Sequence, residues 1–326
     1  MTNRNDALGQ SRTKMIQVGG QAVIEGVMMK APKSLAVVVR KPNGELAAKE
    51  DRLYPLSDRY PFLKWPILRG TLILMETLVL GLRALNYSAN QALDEGEEKK
   101  EIGWAALAGT LGMAFLLGLG LFVALPHWIS AYAGRRSPFP FGVDSLTFHL
   151  LDGVIKVFFF VAYIWIISRF KDIRRVFQYH GAEHKSIFAY EAGQELTVEN
   201  ARPYSTLHPR CGTSFILLVL VISILFFSVV FPFLPKMTAL SGFTRNVLYV
   251  GFKILFMIPI TGLAYEAIKF SGKKAHLIWV RPLILPGLWL QRLTTQEPTD
   301  DQLEVALAAL KRVILLEGRT PGSEVV

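Results

Sequence analysis

Ser214-Phe215-Ile216-Leu217-Leu218-Val219-Leu220-Val221-Ile222-Ser223-Ile224-Leu225-Phe226-Phe227-Ser228-Val229-Val230-Phe231-Pro232-Phe233 carries no charge from end to end. As a helix it is long enough to cross the roughly 30 Å hydrocarbon layer of a bilayer. Three further runs read the same way: Trp104–Leu125, Leu146–Ser168 and Asn246–Ile268, the last with Lys253 in its apolar body and Glu266 near its end. The chain of 326 residues is 51 % hydrophobic and 19 % charged, whereas a soluble domain carries about a quarter charged residues. The apolar excess is gathered into these runs rather than spread along the chain. The fold class that follows is a polytopic α-helical membrane protein, with about four transmembrane helices and a small α+β cytoplasmic portion.

Loop charge sets the expected orientation. The loops from Pro126 to Leu146 and from Pro235 to Arg245 hold two Lys or Arg each, the 169–213 loop holds seven, and the first hundred residues hold fifteen. The positive-inside rule then places the N-terminus, the 169–213 loop and the C-terminal tail together in the cytoplasm. The implied location is the cell (inner or plasma) membrane, with the lipid bilayer as the first partner. This bias also accounts for the formal charge of +10. No basic motif with base-stacking aromatics appears, so no nucleic-acid partner is expected. The first fifteen residues lack the apolar core of a cleavable signal peptide. A single cysteine, Cys211, excludes a disulfide within the chain.

Working outward from the spans, residues 1–14 read as a disordered terminus and 15–66 as a β-rich unit. Within that unit, Asn43-Gly44 signals a two-residue hairpin turn. Residues 67–103 read as an amphipathic helix lying on the membrane, followed by an acidic linker; Arg69, Glu76 and Arg83 share one helical face. Residues 104–168 and 214–268 are the two transmembrane helix pairs, with Pro126-His127-Trp128 ending the first span. Between them lies the 169–213 loop. Residues 269–293 are interfacial, since Arg281, Pro282 and Pro286 interrupt the apolar stretch. Residues 294–326 form a C-terminal helix and tail. Thr299 and Gln302 match a capping box, and Leu303, Ala306, Leu310 and Val313 make a stripe that packs on the β-rich unit.

The chemistry concentrates in the 169–213 loop, which holds three of the six histidines and the only cysteine. His180 and His184 are four apart, so on a helix both imidazoles share one face and can grip one ion. Glu183 sits beside them as the carboxylate that can take a proton from a coordinated water. This H-x-x-E-H order inverts the familiar metalloprotease motif. His208 and Cys211, spaced H-x-x-C, are the further candidate ligands, and Glu191 and Glu199 are alternative oxygen donors. Glu191 would need a helix break, for which Gly193 is the candidate. All four of His180, His184, His208 and Cys211 would make a closed, structural tetrahedron; three would leave a position for water and hydrolysis. Two histidines at this spacing can equally be plain polar surface.

Outside that loop the readings are plainer. Asp152 and Lys156 can pair across one helical turn, and with Lys253 lie near the external end of their spans, where snorkelling is expected. Glu25 faces the His-rich site or is a solvated strand residue. Gly19-Gly20 and Gly26 do not form a phosphate-binding loop.

Gly19-Gly20-Gln21-Ala22-Val23-Ile24-Glu25-Gly26-Val27-Met28-Met29, Tyr179-His180-Gly181-Ala182-Glu183-His184-Lys185, Leu196-Thr197-Val198-Glu199-Asn200, Arg210-Cys211-Gly212-Thr213-Ser214 and Leu293-Thr294-Thr295-Gln296-Glu297-Pro298 resemble blocks of the YqhQ-like bacterial family. That is a domain-of-unknown-function family whose members are described as predicted metal-dependent membrane enzymes. The resemblance runs from about residue 15 to residue 315 and implies one shared cytoplasmic site built from the glycine-rich unit, the His loop and the Thr-Thr-Gln-Glu-Pro segment.

The leading expectation is a metal-dependent, peptidase-like hydrolase with Zn2+ or another divalent metal and Glu183 as general base. The alternative is a non-enzymatic membrane scaffold, in which the same ligands form a structural zinc clasp for a protein partner on the cytoplasmic face.

Overall fold

The computed structural model describes residues 15–93, 104–143, 145–234, 241–273 and 277–318. The expected disordered terminus at 1–14, the acidic stretch from Asp94 to Glu101, Lys236 of an expected external loop and the tail beyond 318 lie outside the described residues.

Four strands, β1 (Gly19–Val23), β2 (Gly26–Lys30), β3 (Ser34–Arg40) and β4 (Leu46–Arg52), form an antiparallel meander in that order. A single turn, α1 (Leu56–Arg59), precedes the long α2 (Leu68–Gln91). Then follow α3 (Trp104–Leu119), a π-helical turn at Gly120–Ala124, α4 (Leu125–Arg136), α5 (Leu146–Ile167), α6 (Lys171–Glu191), the short α7 (Val198–Ala201), α8 (Gly212–Val230), α9 (Gly242–Lys273), α10 (Arg281–Thr294) and α11 (Asp300–Gly318).

Among the described residues, four helical stretches are long and apolar enough to cross a membrane: Gly112–Arg136, Leu146–Ile167, Gly212–Phe233 and Val247–Ser271. The first differs from its expected end. Pro126 does not stop the helix; the chain widens into the π-turn just before it and continues to Arg136. A proline removes one N–H and crowds the preceding turn, and a local π-turn absorbs both effects without breaking the rod.

The sheet is covered on both faces, which is why β2 and β3 are buried along nearly their whole length. Side chains alternate across the pleat. Val27, Met29, Ala36 and Val38 face α6 and α11 with Leu303, Ala306, Leu310 and Val313, so the C-terminal stripe does pack on the sheet. Val23, Met28, Leu35, Val37 and Val39 face Ala84, Leu80 and Tyr87 of α2. The β3–β4 hairpin forms, but not with the two-residue turn. Gly44 N–H donates to Lys41 O, and of the turn residues only Gly44 has positive φ, +87°. Pro42 fixes a negative φ at the first corner, so Pro42-Asn43 make a type I turn and Gly44 supplies the left-handed residue after it.

Helix α2 joins the sheet to the helix bundle. At its start Arg69 grips Glu266 of α9 with two hydrogen bonds of 2.6 and 2.5 Å, and Thr71 Oγ1 donates to Ile258 O. Further along it turns Gly81, Ala84 and Ser88 inward, while Met75, Leu78, Val79 and Leu82 stay exposed.

The charges within the apolar helices depart from the sequence reading. Asp152 and Lys156 do pair, at 2.6 Å, but Lys253 joins them at 3.3 Å, with Asp152 and Lys253 buried between helices and Lys156 half-buried beside them. Snorkelling is therefore not what holds them; a shared carboxylate between α5 and α9 does.

Candidate metal centre

Helix α6 brings Tyr179, His180, Glu183 and His184 onto its buried side. His180 Nδ1 donates to Thr294 O at 2.8 Å, and His184 Nδ1 donates to Thr206 O at 2.5 Å. A carbonyl can only accept, so each imidazole carries its proton on Nδ1 and keeps a lone pair on Nε2. Those two Nε2 atoms converge on Cys211, whose Sγ lies 3.2 Å from His180 Nε2. Ligand atoms of His180, His184 and Cys211 all lie within 4.8 Å of one another. Backbone carbonyls that fix the far nitrogen are the usual outer shell of a metal-bound histidine. Cys211 is placed by its role as N-cap of α8, where it accepts from Thr213 N.

Glu183 completes the set. Its Oε2 stands 3.8 Å from His180 Nε2 and 3.7 Å from His184 Nε2. It is 5 % exposed, and the Gly20 backbone N–H donates to its carboxylate. Burial raises its proton affinity above the ordinary carboxylate range, opposed by His180 and His208. Burial likewise lowers the proton affinity of His184, which keeps the imidazole neutral. The donor set of two imidazoles and a cysteine sulfur suits Zn2+. In a tetrahedral zinc site two N or O ligands sit about 3.3–3.5 Å apart, close to the separations of Glu183 from the two rings.

His208 lies beside this group but not in it. Its Nδ1 accepts from Arg210 N at 3.2 Å, so a neutral ring carries its proton on Nε2 and has no lone pair there for an ion. That Nε2 is buried without a hydrogen-bond partner, 3.7 Å from Glu191 Oε2. Burial lowers the proton affinity of His208, opposed by Glu183. Glu191 pairs with Arg210. Helix α6 runs unbroken to Glu191, its last residue, and the positive-φ Gly193 lies beyond it, so the break that would bring Glu191 to the ion is not there. Glu199 is exposed on α7.

The three glycine- and threonine-bearing blocks of the resemblance do meet at this place. β1 supplies the Gly20 N–H, the segment after α10 supplies the Thr294 carbonyl, and Gln296 N–H donates to Phe177 O at 2.9 Å. A Cβ on Gly181 would collide with the Gln296 carbonyl oxygen, so a glycine is required where that segment crosses α6. Gln291 bridges to His208 by accepting from its N–H and donating to its carbonyl. Glu25 takes neither of its expected places: it pairs with Arg175 at 2.6 and 2.5 Å and accepts from the OH of Tyr179, the residue before His180. Thr294 lies in the Thr-Thr-Gln-Glu-Pro block of the resemblance, whereas Thr206, which acts through its backbone oxygen, and Gln291 carry no signal in the sequence as site residues.

The chain is 31 % identical over 315 residues to the uncharacterized protein YqhQ of Bacillus subtilis (strain 168), covering 92 % of each. No solved structure matches it. Residues 65–315 match the family described as "Protein of unknown function (DUF1385)". Neither description names a metal, a reaction or a substrate, so the metal-dependent enzyme character implied by the resemblance rests on the residues alone. By the match over most of its length, the chain belongs to the DUF1385 family.

Proposed function

We propose that the protein is a multi-pass metalloenzyme of the cell membrane, with both termini and the His-rich site in the cytoplasm, and that it hydrolyses a peptide or membrane-associated substrate. The observation that carries this is the pair of imidazoles whose Nδ1 protons are held by backbone carbonyls, leaving both Nε2 lone pairs aimed at Cys211 and Glu183. His180, His184 and Cys211 are the ligands, and three protein ligands leave one coordination position open. A divalent ion there supplies a Lewis acid and lowers the pKa of a coordinated water. Glu183 then serves as general base, taking the proton on Oε2 from its position between the two rings. Gly20 holds that carboxylate in place. His208, with Glu191 and Arg210, lines the neighbouring side.

A second reading has its own support. His184, Glu183 and Cys211 are at most 6 % exposed, and burial of that degree suits a closed clasp with Glu183 as fourth ligand, holding α6, α8 and the 294–296 segment together for a protein partner.

Cobalt-substituted protein, purified full-length in detergent, separates these. The enzyme reading expects one ion per chain, a sulfur-to-metal charge-transfer band abolished by Cys211→Ser, and visible bands that move on adding a hydroxamate. Glu183→Gln should keep the ion. A spectrum indifferent to hydroxamate, with Glu183→Gln losing the ion, establishes the clasp instead. Absence of stoichiometric metal overturns both.

A further inference from the structure

Far from the His-rich site in the chain, a second polar cluster is sealed inside the helix bundle. Asp152 on α5 accepts from Lys156 Nζ at 2.6 Å and from Lys253 Nζ of α9 at 3.3 Å, and both ammonium groups use the same oxygen, Oδ2. The side chains of Asp152 and Lys253 are 4 % and 8 % exposed. One carboxylate thus faces two ammonium ions, leaving one positive charge without a counter-charge in a segment apolar enough to lie in a membrane. An uncompensated charge there is costly. The titratable neighbours do not cancel it: His127 of α4 and His149 of α5 are the others, and α8 and the turn after it contribute Phe227, Ser228 and Phe231.

Two observations indicate how the charge is met. Lys253 Nζ sits over the rings of Phe148, Phe227 and Phe231 at 6.0, 6.0 and 5.6 Å, where the ring faces attract a cation. Among the described residues, nine buried side-chain N and O atoms lack a hydrogen-bond partner, and seven of them belong to α4, α5, α8 and α9: both nitrogens of His127, His149 Nε2, Asp152 Oδ1, Arg245 Nε, and the hydroxyls of Ser130 and Ser228. Phe148 touches both imidazoles, at ring separations of 5.1 and 5.4 Å, so the rings and Lys253 share one interior. The orphaned groups include several donors, and the two lysines have further N–H groups to give. What this interior lacks is a second negative charge to match its two ammonium groups.

We propose that Lys156 and Lys253 hold a small monovalent anion of halide size between α5 and α9. The anion takes the N–H groups that Asp152 leaves unused and neutralises the second ammonium. Asp152 fixes the spacing of the two lysines, and the aromatic cage around Lys253 keeps its charge in place. The site is independent of the metal centre.

The test uses full-length protein in detergent or nanodiscs, at constant ionic strength, with gluconate exchanged for bromide. Bromide should raise the thermal midpoint saturably, and bromide NMR lines should broaden on adding the protein. Lys253→Met should abolish both effects, and Asp152→Asn, which leaves two uncompensated ammonium groups, should shift half-saturation to lower bromide. Should Lys253→Met fail to fold, broadening by the wild type and its competition by chloride still decide the matter. Identical midpoints in gluconate and bromide, with no line broadening by the wild type, overturn the proposal and leave proton loss from one lysine as the charge balance.

Discussion

Gly20 of β1 and Glu183 of α6 compete for one space: a Cβ on Gly20 would lie 2.6 Å from Glu183 Cγ and 2.7 Å from its Oε1. The contact lets an edge strand present a backbone N–H to the one buried carboxylate of the His-rich cluster. Gly20→Ala should therefore push Glu183 out of line and lower stability by about 1–3 kcal/mol, the usual cost of overpacking. Gly19→Ala has nothing within 4 Å of the added methyl and should leave the thermal midpoint unchanged. Equal midpoints for both variants would mean that β1 yields freely and does not position Glu183.

Metal content discriminates among the histidines. Ligand atoms of His180, His184 and Cys211 converge, whereas His208 spends its Nδ1 lone pair on Arg210 N–H. His184→Ala should lose bound zinc on dialysis, and His208→Asn should retain it at wild-type stoichiometry. Elemental analysis after size exclusion is the measurement. Loss of zinc from His208→Asn would show that the ring turns over to join the ion.

Much of this architecture is legible in the sequence because its signals are local. Span length is read from uninterrupted apolar runs, and the α11 stripe is read from helical spacing; Thr299 N–H does receive the Gln302 side chain at 2.9 Å. His180 and His184 are brought together by the helical period alone. What the sequence hides is set by partners far along the chain. The ring tautomers depend on carbonyls of Thr206 and Thr294, which any residue type could supply. The burial of Asp152 depends on Lys253, 101 residues away. Pro126 reads as a stop because a π-turn, which has no residue signature, absorbs it. His208 looks like a ligand by spacing and is diverted by a backbone N–H two residues on.

His208 also carries a pH signature. Burial holds its proton affinity below that of an ordinary histidine, so between its folded pKa and about 6.5 the unfolded chain binds more protons than the folded one. Its contribution to stability is full above that window and is lost as the pH falls through it. His208→Gln lacks this slope. In chelator-treated protein the midpoint advantage of the wild type over His208→Gln should shrink as the pH falls from about 7.5 to about 5.5. Parallel melting curves across that range would show that the ring is not held neutral.

Sidedness is the last expectation open to a direct measurement. Seven basic residues in the 169–213 loop against two between Pro126 and Leu146 predict an orientation that puts the sheet and the His-rich site in the cytoplasm. Wild-type Cys211 is buried, so it supplies a low background for thiol labelling in intact cells. Arg136→Cys stands at the exposed end of α4, and Asn43→Cys at the exposed tip of the β3–β4 hairpin. A membrane-impermeant maleimide should label Arg136→Cys in intact cells and reach Asn43→Cys only after the cells are opened. Labelling of Asn43→Cys from outside reverses the orientation and moves the proposed metal centre to the other face. Labelling of both from outside shows that the four apolar helices do not separate these sites by a membrane.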